Sequence, residues 1–433
     1  MLRIATAGSV DDGKSTLIGR LLYDAKTVQD DQLAAITDAS RRRGDAHTDL
    51  SLLTDGLRAE REQGITIDVA YRYFATPRRT FIVADTPGHE QYTRNMVTGA
   101  STADVAMVLV DARKGVREQS RRHAFLAALL GIPHIVVCVN KMDLVDHDER
   151  VFASIAEDFA AFAAPLGLTT LAFVPISALN GDNVVTPGTA RMPWYTGPPL
   201  LGLLEDMPEA DAEPRDPVGA RLPVQYVIRP QGGEHRYYAG SMAGGGLRPG
   251  DAVTVLPSGR TSRVLALTGP DGPVEYAYPP MPVTVTLADQ LDVSRGDLIC
   301  RTGDEPPTAR DLEATVCWMS EHGRLRAGAT YLLKHTTRTV RARVTDVRHR
   351  LDVNTLATDP RADELALNDI GRVALRVGAP LPHDPYRRNR ATGAFILIDE
   401  ATDNTVAAGI ILDMDTETAD RGPDDHHHGR EHT

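Results

Sequence analysis

The first half of the chain alternates short apolar runs with amphipathic stretches. The runs at 2–7, 80–84, 105–111, 134–140 and 171–176 are continuous enough to be buried strands. Between them, 16–22, 119–130 and 148–164 space their apolar residues at three and four, as a helix with one buried stripe does. Strands alternating with helices predict a parallel sheet wrapped by helices, with ligands gathering at the carboxyl ends of the strands. The pattern stops at 207–217, a stretch rich in proline and acid that reads as a linker. Beyond it the helical spacing fades. Short runs at 222–228, 252–256, 262–267 and 283–287, parted by turn residues such as Pro249-Gly250-Asp251, predict a small antiparallel barrel. Pro306-Pro307 interrupts, and further runs at 329–334, 339–347, 371–377 and 395–399 predict a second all-β unit. The expected organisation is an α/β domain over 1–207, antiparallel β-barrels over 218–305 and 311–413, and a disordered His-rich tail over 414–433.

Composition narrows this picture. With 433 residues, 42% of them apolar and 24% charged, the chain is a folded protein of several domains. A net charge of −12 argues against a general nucleic-acid binder, whose affinity rests on clustered Lys and Arg. Cys138, Cys300 and Cys317 are odd in number and widely spaced, so free thiols in a reducing compartment are expected rather than a disulfide framework. No apolar run approaches the ~18 residues that span a bilayer. The first strand begins almost at once, leaving no leader segment, and a cytoplasmic location is expected.

The chemistry begins after the first strand. Gly8-Ser9-Val10-Asp11-Asp12-Gly13-Lys14-Ser15 has the form Gly-x-x-x-x-Gly-Lys-Ser, with Thr16 opening the helix that follows. In such a phosphate-binding loop the glycines let backbone N–H groups turn toward phosphate oxygens. The lysine reaches the outer phosphates, and the serine hydroxyl is placed for Mg²⁺ at a helix N-terminus. Asn140-Lys141-Met142-Asp143 follows a later strand. The carboxylate of Asp143 can accept two hydrogen bonds from the N1–H and amino group of guanine, a donor pair that adenine lacks. Asn140 would brace that loop, the stem of Lys141 would cover the base, and Ser177-Ala178-Leu179 would offer backbone N–H groups to the guanine carbonyl. Asp85-Thr86-Pro87-Gly88-His89 closes another strand. There Asp85 would hold Mg²⁺ through water, Gly88 would meet a γ-phosphate, and His89 would orient an attacking water. Thr66, in the stretch 60–68, is expected to close over Mg²⁺. These elements together predict a Mg²⁺-dependent GTPase with His89 as its catalytic residue.

In this order the motifs resemble the translational-GTPase superfamily, the elongation-factor-Tu-like group with an α/β P-loop GTPase domain and two antiparallel β-barrels. Ser15 and Thr66 then correspond to Mg²⁺ ligands, and Val10 and Ile65 to the apolar pair that gates His89. A translation factor typically has His where this chain has Asp12, and Thr where it has Ser15. Those departures, with residues 60–74, Met192-Pro193-Trp194-Tyr195, Ser294-Arg295-Gly296-Asp297, 389–399 and 405–409, resemble the large GTPase subunits of bacterial sulfate adenylyltransferases. The resemblance implies GTP and Mg²⁺ as ligands and a small catalytic subunit as partner, in a heterodimer or higher complex. The partner joins sulfate to the AMP moiety of ATP, giving adenosine 5′-phosphosulfate, and GTP hydrolysis drives the step. An elongation-factor-like role delivering aminoacyl-tRNA is the alternative, against which the acidity, Asp12 and the 389–399 block count. No second phosphate loop is present, so adenylylsulfate-kinase activity is not expected.

Overall fold

The computed structural model describes residues 1–43, 48–53, 69–86, 93–208, 218–229 and 236–413. The expected tail and the sequence-predicted site residues Thr66, Pro87, Gly88 and His89 lie outside them, as does Ile65. The chain forms two compact units, Met1–Pro214 with Val353–Leu356, and a second that holds the rest of both β-rich segments.

The first unit is built on strands β1 (Leu2–Ala7), β2 (Ala70–Ala75), β3 (Thr80–Asp85), β4 (Val105–Asp111), β5 (His134–Asn140) and β6 (Thr170–Pro175). They lie in the order β2-β3-β1-β4-β5-β6, all parallel except β2, which runs antiparallel to β3. Strands β4 and β5 are buried at every position, which is why they read as unbroken apolar runs rather than alternating ones. Six helices accompany the described part of this sheet: α1 (Lys14–Asp24), α2 (Asp30–Arg43), α3 (Thr93–Ala100), α4 (Glu118–Leu129), α5 (Glu149–Ala163) and α6 (Leu200–Asp206). Leu17, Ile18, Leu21 and Leu22 of α1 join Leu2, Ile4, Met107 and Leu109 of the sheet in one core. The chain leaves β1 between its neighbours β3 and β4, the point in an open α/β sheet where a crevice forms. Register then brings the strand ends together: Ala5 lies beside Ala84, Ala7 beside Val108, and Asp111 beside Asn140.

The second unit contains two barrels. The run at 222–228, expected as one strand, is divided. Arg221–Pro223 pairs with Leu298–Arg301, while Tyr226–Ile228 pairs with Tyr237–Ser241. These two halves sit at opposite ends of the strand order, so one continuous segment closes the sheet on itself. Beyond Ser241, Gly245 takes a left-handed φ of 45°, and a Cβ there would lie 2.5 Å from the backbone of Gly219 and Ala220. Only glycine lets the chain pass so close. The second barrel closes by direct pairing: Thr330–His335 bonds both Ala394–Ile398 and Arg338–Leu351. Leu312, Val316, Trp318, Leu333, Val344 and Leu397 fill it.

A buried ion pair joins the two barrels. The Arg221 Nε and Nη2 donate to Asp384 Oδ2 and Oδ1 at 3.0 and 3.1 Å, and Nη1 donates to the Asp304 carbonyl at 2.8 Å. Thr392 Oγ1 donates to the same carboxylate at 2.6 Å, and Asn389 Nδ2 to the Ala243 carbonyl at 3.0 Å. Residues of the 389–399 block therefore serve the junction between the barrels.

Candidate functional site

The loop after β1 is held from three sides. Its own Asp12, buried, turns back so that Oδ2 accepts the Ser9 N–H at 2.7 Å. The Lys14 Nζ donates to the Gly8 and Ser9 carbonyls, both at 2.9 Å. From α4, His123 Nδ1 accepts the Gly8 N–H at 3.0 Å. Gly13 caps α1 with φ of 94°, and a Cβ there would lie 2.4 Å from Asn140 Nδ2, so both conformation and space demand glycine. Ser15 and Thr16 stand half-exposed in the first turn of α1, Val10 half-buried and Asp11 exposed on the loop.

Electrostatics make this loop a receptor for anions. Burial lowers the Lys14 pKa, opposed by the carboxylates of Asp85, Asp12 and Asp11. Among the described residues none of these forms an ion pair with its ammonium, which is capped by carbonyls alone. A buried cation so placed is costly until an anion meets it, and the N-terminus of α1 opens beside it. Burial also raises the Asp12 pKa, against the attraction of Lys14 and the bond from Ser9. Burial lowers the His123 pKa to about 3, reinforced by Lys14 and Arg122, so its imidazole is neutral and free to accept.

Asp85 is buried at the end of β3, where Thr6 Oγ1 donates to Oδ1 at 3.4 Å. Thr86 is buried too, its hydroxyl donating to the Thr6 carbonyl at 2.5 Å. The hydroxyl of Ser15 and the carboxylate of Asp85 are hard oxygen donors, a set that fits Mg²⁺ and not a soft metal.

Asn140 ties this loop to the rest of the site. Its Nδ2 donates to the Asp12 carbonyl at 2.8 Å, and its Oδ1 accepts the Ala178 N–H at 3.0 Å. One amide thus spans the phosphate loop and the Ser177–Leu179 turn. Lys141, at a left-handed φ of 64°, points its Nζ at the Asp11 carbonyl and pairs with Asp111 Oδ2 at 3.0 Å. Arg113 clasps the same carboxylate, Nη2 to Oδ2 at 2.7 Å. Burial alone would raise the Asp111 pKa, but the bonds from Arg113 and Lys141 outweigh it and hold it well below the usual carboxylate range. Met142 is fully buried and donates its N–H to the Ile176 carbonyl at 3.2 Å. Asp143 beside it is half-buried, and its carboxylate accepts no hydrogen bond from the described residues. Of the three amides expected to meet the base, Ser177 N–H goes to the Asp182 carbonyl and Ala178 N–H to Asn140. Leu179 N–H has no partner among the described residues.

Two participants were not singled out from the sequence. His123 lies in the buried stripe of α4 with Ser120, Ala124 and Ala127, where a histidine reads as core. Asp111 gave more signal, as a charged residue closing an apolar strand.

Fold and loops together define a guanine-nucleotide-binding protein of the elongation-factor-Tu type. The family described as "Elongation factor Tu GTP binding domain" matches residues 1–210, and "GTP-eEF1A C-terminal domain-like" matches 311–412. Over 414 residues the chain is 52% identical to sulfate adenylyltransferase subunit 1 of Laribacter hongkongensis, covering 95% of this chain and 85% of that protein. It is 60% identical over 415 residues to the bifunctional enzyme CysN/CysC of Mycobacterium tuberculosis, covering 95% of this chain and 67% of the relative. The chain belongs to the sulfate adenylyltransferase subunit 1 family. It spans about two thirds of the length of the bifunctional relative. Among solved structures, sup35 complexed with GDP aligns over 95% of this chain and 93% of that one at 22% identity, with a TM-score of 0.43, too remote to bear on the site.

Proposed function

We propose that this chain is the GTP-hydrolysing subunit of a sulfate adenylyltransferase, and that its hydrolysis drives synthesis of adenosine 5′-phosphosulfate from ATP and sulfate by a separate, smaller catalytic subunit. The observation that carries the reading is Asn140, whose two side-chain bonds lock a phosphate loop with a buried lysine to the loops that flank a base. Family membership supplies the reaction.

In this reading Lys14 and the first amides of α1 receive the β- and γ-phosphates. The carboxylate of Asp143 accepts the N1–H and amino group of guanine, Lys141 covers the ring under the restraint of Asp111, and the Leu179 N–H faces the base carbonyl. Ser15, Thr66 and Asp85, the last through water, would hold Mg²⁺, whose charge would offset that developing on the phosphate oxygens. His89 orients the water that attacks the γ-phosphorus, and Gly88 reads that phosphate through its backbone. Release of the γ-phosphate frees the segments around Thr66 and His89, and the barrels carry the change to the partner. A relative 52% identical is named as subunit 1 of a sulfate adenylyltransferase, which supports a partner of this kind.

Coupled turnover tests it. Mixed with the small subunit, ATP and sulfate, the chain should raise the yield of adenylylsulfate only when GTP is present. Equal yields with and without GTP would overturn the proposal.

A further inference from the structure

The segment Met192-Pro193-Trp194-Tyr195 has no part in the chemistry above, yet it lies directly behind both base-flanking loops. Trp194 Nε1 donates to the His147 carbonyl at 3.0 Å, while its ring packs on Phe152, centroids 5.4 Å apart. Three residues earlier, Arg191 Nη1 pairs with Asp182 Oδ2 at 2.8 Å. His147 and Asp182 end the two loops that begin at Lys141 and Ser177. His147 N–H donates to the Met142 carbonyl at 2.9 Å, and the Asp182 carbonyl accepts the Ser177 N–H at 3.2 Å. The His147 Nε2 comes within 3.7 Å of Asp182 Oδ2. One short segment therefore grips the rear of both loops.

The first of those loops needs gripping. Asp146 and His147 stand consecutively at left-handed φ of 53° and 55°, with Lys141 at 64° at the loop's start. Asp and His enter this region more readily than most residues with a Cβ, but as single residues, and two in succession need contacts that hold them there. The bond from the indole falls on the carbonyl of the second strained residue. The Met192 side chain, fully buried, anchors the segment, and its N–H donates to the Gly188 carbonyl at 2.8 Å.

We infer that Trp194, with Arg191 as its second arm, is a positioning residue for base selectivity: it sets the distance between the Asp143 loop and the Ser177–Leu179 turn. The inference rests on the guanine reading of Asp143. It touches neither phosphates nor base. Its effect runs through where Asp143 sits, and hydrogen bonds to a base edge weaken steeply with small misalignment.

The test is the ratio of dissociation constants for GDP and IDP, because hypoxanthine lacks the amino group that Asp143 would bind. Trp194→Phe keeps an aromatic ring beside Phe152 but removes the N–H, along with part of the ring area. It should narrow the GDP preference by about three- to tenfold, the worth of one hydrogen bond, through weaker GDP binding. Arg191→Met, at an exposed position, should narrow it less and serves if the first variant fails to fold. A purely structural role would lower the melting temperature and leave the ratio alone. An unchanged ratio in a folded variant overturns the inference. If the unaltered chain binds GDP no better than ADP, the guanine reading itself fails and this inference falls with it.

Discussion

Replacing His123 with leucine removes the acceptor of the Gly8 N–H from the floor of the phosphate loop. Gly8 is buried, so the orphaned donor has no water to turn to. A buried polar group without a partner costs about 1–3 kcal/mol. The cost falls on the loop shape that binds phosphate, so the binding-competent fraction drops and the apparent affinity with it. At about 1.4 kcal/mol per tenfold, GDP and GTP should both bind about five- to 150-fold more weakly. The two nucleotides should lose equally, because the Gly8 bond shapes the loop that both would use. His123→Asn places a side-chain oxygen near the position of Nδ1 and should recover most of the affinity. A fluorescent GDP analogue, titrated and then chased, reads both affinity and dissociation rate. If His123→Leu binds within twofold of the unaltered chain, or if His123→Asn is no better than His123→Leu, the imidazole does not shape the loop.

Three further outcomes are expected. Arg221→Met strands the buried Asp384 carboxylate and should cost about 3–5 kcal/mol in urea unfolding, while Arg221→Met with Asp384→Leu should recover most of it; equal losses in both would refute the ion-pair account. Asp143→Asn should lose guanine preference and favour xanthine, whose carbonyl stands where guanine has its amino group; unchanged GDP-over-XDP selectivity would remove Asp143 from the base site. His123 is neutral in the folded chain, its pKa pushed down to about 3, whereas the unfolded chain protonates near the ordinary ~6.5. Unfolding therefore takes up a proton between these values, stability is full above the upper one and falls as pH drops toward the lower, and His123→Asn should flatten that slope in pH-dependent denaturation.

The fold was legible where burial was total. Strands β4 and β5 coincide with their apolar runs, because a parallel strand covered on both faces tolerates almost nothing else. Helix α2 was not anticipated: Asp30–Arg43 is polar over most of its length and offers no continuous apolar stripe. Strand β2 was missed for a related reason. It is the antiparallel edge of the sheet, with Tyr71 and Tyr73 exposed, and its period-two pattern is short. The interruption at Val224-Gln225 could not be read locally at all. It is set by two distant acceptors, the carbonyls of Asp297 and Ala239.

The same distinction governs the site. Residues read as meeting a ligand, such as Lys14 and Asp143, stand at the fixed spacing of a motif because a ligand would impose that spacing. Residues that hold those residues in place answer to the fold instead. Asp111 meets Lys141 only because β4 and β5 run in register, Asp111 beside Asn140. His123 meets Gly8 across 115 positions because α4 packs beside the start of the phosphate loop. Trp194 meets His147 across 47. No motif can encode such partners, since any element that brings an acceptor or a donor to the right point would serve. Asp12 shows the two kinds converging in one residue: it stands inside the motif, but its carboxylate is spent on Ser9, three residues back. A substitution there should therefore disturb the curvature of the loop rather than a contact with the nucleotide.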